Sequence, residues 1–457
     1  MDRLQPQEGG MVPVRPQGFK AFIVICVGQL ISMTGTAMTS FALSIWAWKM
    51  TGSATALAVV AFFNYAPMML MSPIAGVLVD RWNRKLTMAL SDIASGFATV
   101  VVLILYLTGH LQIWHLCVTG AFSGFFQAFQ WPAYSASISA MMPKDQYGRA
   151  SGMFSLVDST AGIFAPIAAG AIVAFWGPAP VFVIDIATFC IAVASLLFVH
   201  IPDPAKSSVG EQEPGSLLRQ SLFGFRYILA RRPLTGLLLI FFAANLVTSI
   251  CMTIWNPMIL ARTSDNARIL GLVSTVSAVG GLVGGLLMSS WGGPKHRMRG
   301  LLGSMVWVAV IGLMLMGLTK YLWVWLVAGF LGSFIIPILN GCNDVIWQLK
   351  IPHDVQGRVF ASRRMIAQTA VPVAMLSAGP LADFLFEPGM MPGAWLARSF
   401  GSLIGTGQGS GMALMFVLCG LLLLGVTAAG YLIPAVRDVE RLIPDYEASS
   451  DTVRDGA

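Results

Sequence analysis

The stretch Pro143-Lys144-Asp145-Gln146-Tyr147-Gly148-Arg149 returns 209 residues later as Pro352-His353-Asp354-Val355-Gln356-Gly357-Arg358. Proline, acid, glycine and arginine recur at the same places in a polar junction between long apolar runs. Chance pairings of Leu or Val are common in an apolar chain, but a polar match of this kind is not. The same offset carries Trp46 to Trp255, Gly76 to Gly285, Trp82 to Trp291 and Gly170 to Gly379. The chain therefore reads as one unit written twice in the same direction.

Composition says what kind of unit this is. Of 457 residues, 56% are hydrophobic and 11% charged, against roughly 25% charged in soluble domains. So few charges cannot cover a water-exposed surface, which excludes a soluble enzyme and a disordered chain. A bilayer core of about 30 Å needs about 20 apolar residues per helix. Twelve spans are predicted near 19–48, 54–79, 86–108, 113–142, 149–175, 179–200, 234–260, 269–291, 300–318, 322–349, 357–386 and 411–434. The first run is about 30 residues long, beyond the roughly 7–15 of a signal-peptide core. The fold class is an all-α membrane protein, with twelve transmembrane helices as two six-helix bundles related by a parallel internal repeat. The boundaries are 1–200 for the first bundle, 201–232 for a linker, 233–434 for the second bundle and 435–457 for a tail.

The basic residues orient these spans. With both termini inside, 23 of the 28 Lys and Arg fall on the inner side; the exceptions are Lys49, Arg262, Arg268, Lys320 and Arg398. One misplaced span would swap every later loop and destroy this bias, so a multi-pass plasma-membrane protein with cytoplasmic termini is expected. The net charge of +7 thus marks orientation and not a nucleic-acid partner. Six cysteines (Cys26, Cys117, Cys190, Cys251, Cys342, Cys419) all fall in spans without a C-x-x-C pair, which reads as buried thiols. Two bundles that rock about a midplane site describe transport by alternating access.

Gly76-Val77-Leu78-Val79-Asp80-Arg81-Trp82-Asn83-Arg84-Lys85 resembles the signature loop between helices 2 and 3 of the major facilitator superfamily. Gly28-Gln29, Thr51-Gly52-Ser53-Ala54 and Gly357-Arg358-Val359-Phe360 resemble its drug:proton antiporter group, which includes macrolide efflux proteins and the enterobactin exporter. The resemblance implies a cytoplasmic latch in which Asp80 meets the start of helix 11 near Gly357 and Arg358, with Arg81, Arg84 and Lys85 holding the loop inside. In the second half Asp80 and Arg81 become Ser289 and Ser290, so one copy alone could form an ionic latch. Gly162-x-x-x-Pro166-x-x-x-Gly170 resembles the glycine–proline pattern of antiporter members; its small residues suit close helix packing. Proton-coupled relatives often carry a basic residue in helix 4, where Ser123 stands here.

Ionisable side chains inside a membrane are candidates for function. Asp158 is expected deepest, about 15 Å into helix 5 at about 1.5 Å per residue; it could carry a proton through the cycle or serve as a hydrogen-bonded packing residue. Asp92, Asp185 and Asp344 lie nearer helix ends, where capping or pairing competes with proton transfer. Arg363 and Arg364 can snorkel inward. Candidates for the substrate cavity are Gln29 and Phe41 on helix 1, with Gln127, Gln130 and Trp131 on helix 4. Asn245 and Trp255 on helix 7, with Asn340 and Asn343 on helix 10, are the second-half equivalents. Aromatics and methionines suit a large amphiphile, although each aromatic fits plain packing equally well.

Ser216–Arg232 alternates apolar residues with arginine at helical spacing, as an amphipathic helix on the inner leaflet would. Glu387–Ser410 forms a long Gly-rich outer loop, and the tail is expected to be partly ordered. No lysine follows a glycine, so there is no P-loop, and no H-E-x-x-H occurs. A non-enzymatic transporter without cofactor or metal is therefore expected, with a small organic molecule and protons as partners, lipid around it, and a monomer as the working unit. Efflux of hydrophobic drugs leads, siderophore or metabolite export follows and uptake comes third; a transport-inactive sensor or scaffold is the rival class.

Overall fold

The computed structural model describes residues 18–81, 83–141, 147–199, 226–351 and 356–443. The first six helices are α1 (Gly18–Thr51), α2 (Ala54–Arg81), α3 (Arg84–Leu107), α4 (Ile113–Met141), α5 (Tyr147–Trp176) and α6 (Ala179–Phe198). The second set begins with α7 (Arg232–Arg262) and α8 (Ala267–Trp291). Then come α9 (Arg297–Leu318), α10 (Leu322–Phe334 continued by Ile336–Lys350) and α11, which runs from Gln356–Pro380 on to Glu387–Gly389. A short α12 (Trp395–Ile404) precedes the last span, α13 (Ser410–Leu432). Among the described residues there are no strands, and ten helices are long and apolar enough to cross a membrane.

Local chemistry sets the ends. The Asn83 side chain accepts from the Leu86 amide and opens α3; Asn266 does the same for α8 through the Arg268 and Ile269 amides. Gly52, at φ 60, turns the chain between α1 and α2.

The packing repeats with the sequence. In the first half α2 packs on α4, α1 on α5 and α6, and α3 on α4 and α6. The second half repeats each pair, as α8 on α10, α7 on α11 and α13, and α9 on α10 and α13. The halves meet along two seams, α5 with α8 and α2 with α11. Leu70, Phe97, Leu422 and Leu432 point outward toward lipid.

Three features go beyond the sequence expectation. The ninth span is π-helical over Val308–Met314 and the eleventh over Leu381–Phe386, while the tenth breaks at Ile335. The outer loop is not a bare glycine-rich strand of chain. Glu387 accepts from the Gly409 and Met412 amides and caps α13, and Arg262 donates to the carbonyls of Gly317, Thr319 and Ile404. The start of the tail is also docked: Glu440 accepts from the Arg297 amide at 2.8 Å, and Lys350 donates to the Glu440 carbonyl at 2.7 Å. Most of the predicted amphipathic linker helix lies outside the described residues; its last turn leads into α7, where Thr235 donates to the Ile228 carbonyl.

Candidate functional site

A cavity of about 690 Å³ lies between the halves. Its first-half wall carries Thr36, Thr39, Ser40 and Ser44 from α1, Asn64 and Tyr65 from α2, Thr99 from α3, Gln127 from α4 and Asp185 from α6. The facing wall carries Ser249, Met252, Thr253 and Asn256 from α7 and Met375 from α11. Among these residues Asp185 is the single carboxylate, and no Lys, Arg or His is present. Thr99 donates to one Asp185 oxygen at 2.8 Å and Thr36 to the other at 3.2 Å. The carboxylate is thus held by hydroxyls and meets no cation across the wall. Asp185 is 3% exposed, so its access is to this cavity and not to headgroup water.

A second, smaller cavity of about 410 Å³ lies within the C-terminal half, among α7, α8, α9 and α10. Asn245, Trp255 and Asn340 line it, and Met252 lines both cavities.

The sequence candidates divide sharply. Gln127 lines the central cavity, and Asn245, Trp255 and Asn340 the second. Gln29 and Gln130 line neither. Gln29 donates to Asp92 at 3.1 Å, and Gln130 donates to Asp92 at 2.8 Å and to the Gln29 oxygen at 3.2 Å. This closes a buried polar triad between α1, α3 and α4. Phe41 is buried in the main apolar core, and Asn343 is fully buried, its amide atoms without a partner among the described residues. Asp344 pairs with Arg363 at 2.6 Å, and that guanidinium lies over Trp347 at 5.3 Å, so the arginine does not simply reach for the surface.

Pro166 and Gly170 pack across the α5–α8 seam: a Cβ on Gly170 would lie 2.8 Å from the Ala267 carbonyl, and one on Gly271 2.6 Å from that of Pro166. Gly162 faces open space. Lys85 donates to the carbonyls of Leu197 and Val199 and so holds the end of α6. The side chains of Asp80, Arg81, Arg84, Trp131, Asp158 and Arg358, and the surroundings of Gly76 and Gly357, lie outside the described residues. The cytoplasmic latch and the Asp158 reading therefore remain expectations.

What the sequence reading missed is the closure of the end bearing the α1–α2 and α7–α8 turns, called outer here from the charge bias. Asp383 of α11 reaches the first turn of α2, accepting from the Ser53 hydroxyl at 2.6 Å and from the Ala54 and Thr55 amides at 3.0 and 2.8 Å. A carboxylate there satisfies orphan amides and meets the positive end of the helix dipole. Asp265, at φ 62, accepts from the Trp48 indole at 2.7 Å, and Arg268 lies over the Phe175 ring at 3.9 Å. Asn256 donates to Ser44, and Thr275 to the Ile163 carbonyl. Among the described residues, every hydrogen bond between the halves is in the outer half of the spans. The only cue in the sequence was an acid at position 383 near a predicted span end.

An all-helical protein with ten membrane-length apolar helices among the described residues, a duplicated half and a polar cavity between the halves has the architecture of a membrane transporter. The Major Facilitator Superfamily model matches residues 25–375, and the chain belongs to that family. It is 25% identical to macrolide efflux protein A of Streptococcus pyogenes over 79% of this chain and 89% of that one. It is 23% identical to the multidrug efflux pump Tap of Mycolicibacterium fortuitum, over 79% and 89% of the two chains. Among solved structures it is similar to a bacterial homolog of the human lysosomal transporter Spinster, inward-facing and unoccupied. That likeness has a TM-score of 0.66 and 14% identity, covering 91% of this chain and 97% of the other; it speaks for the fold.

Proposed function

We propose that this transporter is a secondary active exporter of amphiphilic, drug-type organic molecules, exchanging them for protons by alternating access. The observation that carries the reading is the lone carboxylate of Asp185 in the wall of the central cavity, with two hydroxyl donors and no basic side chain in the described lining. A proton or a cationic substrate group can each neutralise that charge, but not both at once. An uncompensated charge is costly inside a membrane. Passage between inward and outward states is therefore favoured only when one or the other is bound, which couples their movements in opposite directions. The hydroxyl-rich wall and the apolar second cavity suit a molecule with a polar end and a large apolar body. Export as the direction is supported by the efflux relatives. Asp92 is a poorer carrier, since it lines neither cavity and is held between two glutamines.

Inside-out proteoliposomes with an acidic lumen test this. Uptake of radiolabelled erythromycin or ethidium should follow the pH gradient and stop when nigericin collapses it. Uptake that ignores the gradient removes proton exchange; no uptake of either compound removes the drug-exporter reading.

A further inference from the structure

The second cavity lies where one half of the duplication is irregular and the other is not. In the first half α3 and α4 run unbroken over Arg84–Leu107 and Ile113–Met141. Their counterparts, α9 and α10, carry the π-helical stretch Val308–Met314 and the break at Ile335. A π-turn widens the helix locally, and such turns recur at functional sites. Gly312 in that stretch faces Gly332 just before the break, a Cβ on Gly312 lying 3.4 Å from the Gly332 Cα. The two helices thus touch backbone to backbone at that point, and the cavity lies beside the contact.

The lining chemistry says what fits there. Asn245, Thr248 and Ser277 donate to the carbonyls of their own helix, at 2.9, 2.8 and 2.8 Å. Ser274, Ser333 and Asn340 add polar groups, but they are set among Phe241, Leu313 and Ile336, no charged side chain stands in the described lining, and Trp255 offers an aromatic face. The central cavity differs in holding a carboxylate, Asp185, with hydroxyls donating to it. Met252 stands between them, a flexible, polarisable side chain that can swing aside.

We infer that the cavity inside the C-terminal half is a subsite for the apolar body of the transported molecule, entered from the central cavity past Met252 while the polar end stays near Asp185. This rests on the exporter reading above. It narrows the substrate to elongated amphiphiles whose apolar part is about the size of two fused or linked rings.

The test uses the purified full-length chain in lipid nanodiscs and three cations with one head group: tetramethylammonium, benzyltrimethylammonium and (biphenyl-4-ylmethyl)trimethylammonium, titrated calorimetrically. Each added ring should tighten binding roughly tenfold, as burial of apolar surface predicts. Ser274→Leu, which fills the subsite, should erase the gain for the biphenyl compound and leave tetramethylammonium unchanged, and Met252→Trp, which blocks its entrance, should erase the gain measured against tetramethylammonium in the same variant. Ser274→Ala should keep the gain. No gain in the unaltered chain, or a gain that survives both blocking variants, overturns the inference. Ethidium flux is read separately: loss of flux alone sinks the exporter reading, whereas retained flux with no ring-dependent gain sinks the subsite.

Discussion

The two halves share helix order and packing pairs, yet their interiors have been filled in opposite ways. Gln29, Asp92 and Gln130 form a buried polar triad between α1, α3 and α4. At the 209-residue offset the same three places hold Leu238, Leu301 and Leu339, all part of or packed against the main apolar core. Asp185 on α6 has no acidic counterpart, since α13 (Ser410–Leu432) carries no Asp, Glu, Lys or Arg. One half thus holds the cavity carboxylate, and the other supplies apolar surface and the irregular helices that flank the second cavity. Duplication fixed the scaffold; divergence within it divided the work.

The sharpest way to break this comparison is to remove the charge from the half that has it. Asp185→Asn should lower pH-driven flux by about a hundredfold or more while counterflow exchange of substrate persists. Full pH-driven flux in that variant would show that the polar half does not carry the proton.

The two seams invite the next test. The α2–α11 seam is closed by the Asp383 carboxylate, the α5–α8 seam by glycine packing and the Arg268–Phe175 contact. Asp383→Ala removes three hydrogen bonds and a helix cap, at a cost of about 2 kcal/mol, or roughly thirtyfold in the open–closed equilibrium. A cysteine at Ser44, facing the cavity, should react that much faster with an impermeant thiol reagent from outside. Gly271→Leu forces the other seam apart against the Pro166 carbonyl and should raise the same labelling rate about tenfold, in keeping with ordinary overpacking costs of about 1–3 kcal/mol. Equal effects would mean that the seams are interchangeable; no effect from Asp383→Ala would mean that the cap is ornamental.

The smallest effect concerns the triad. Asp92→Ala alone leaves glutamine donors buried without an acceptor and should cost about 1–3 kcal/mol of stability. Gln29→Leu, Asp92→Leu and Gln130→Leu together copy the other half, and should cost less than the single change, because no polar group is left unpaired. Thermal unfolding compares the two. A triple variant that loses pH-driven flux while remaining folded would move proton handling from Asp185 to Asp92.

The junctions Pro143–Arg149 and Pro352–Arg358 revealed the duplication because polar residues between apolar runs are too rare to match by accident. The candidate cavity was less legible. Gln127 lies in the wall of the central cavity and Asn245 in that of the second, while Gln29 and Gln130, expected beside them, hold Asp92. A glutamine in an apolar run announces only that it needs a partner; whether that partner is a substrate or another side chain depends on which helices touch. Thr36 and Thr99 went unnoticed for the same reason, as hydroxyls able to bond to their own helix carry little signal until a carboxylate faces them.

Hydropathy, charge bias and internal repeat, all one-dimensional quantities, determined the expected spans and their duplication, and the resemblance of the Gly76–Lys85 loop pointed to the family. They do so because the bilayer imposes a fixed apolar length on each span and the repeat preserves its polar landmarks. Only the tertiary structure decided that Asp383 closes the outer end, that Asp92 is sealed while Asp185 faces the cavity, and that a bulged α9 and a broken α10 flank a cavity inside one half. Each of these depends on contacts between residues tens to hundreds of positions apart, and on helix irregularities that no periodic pattern in the sequence marks.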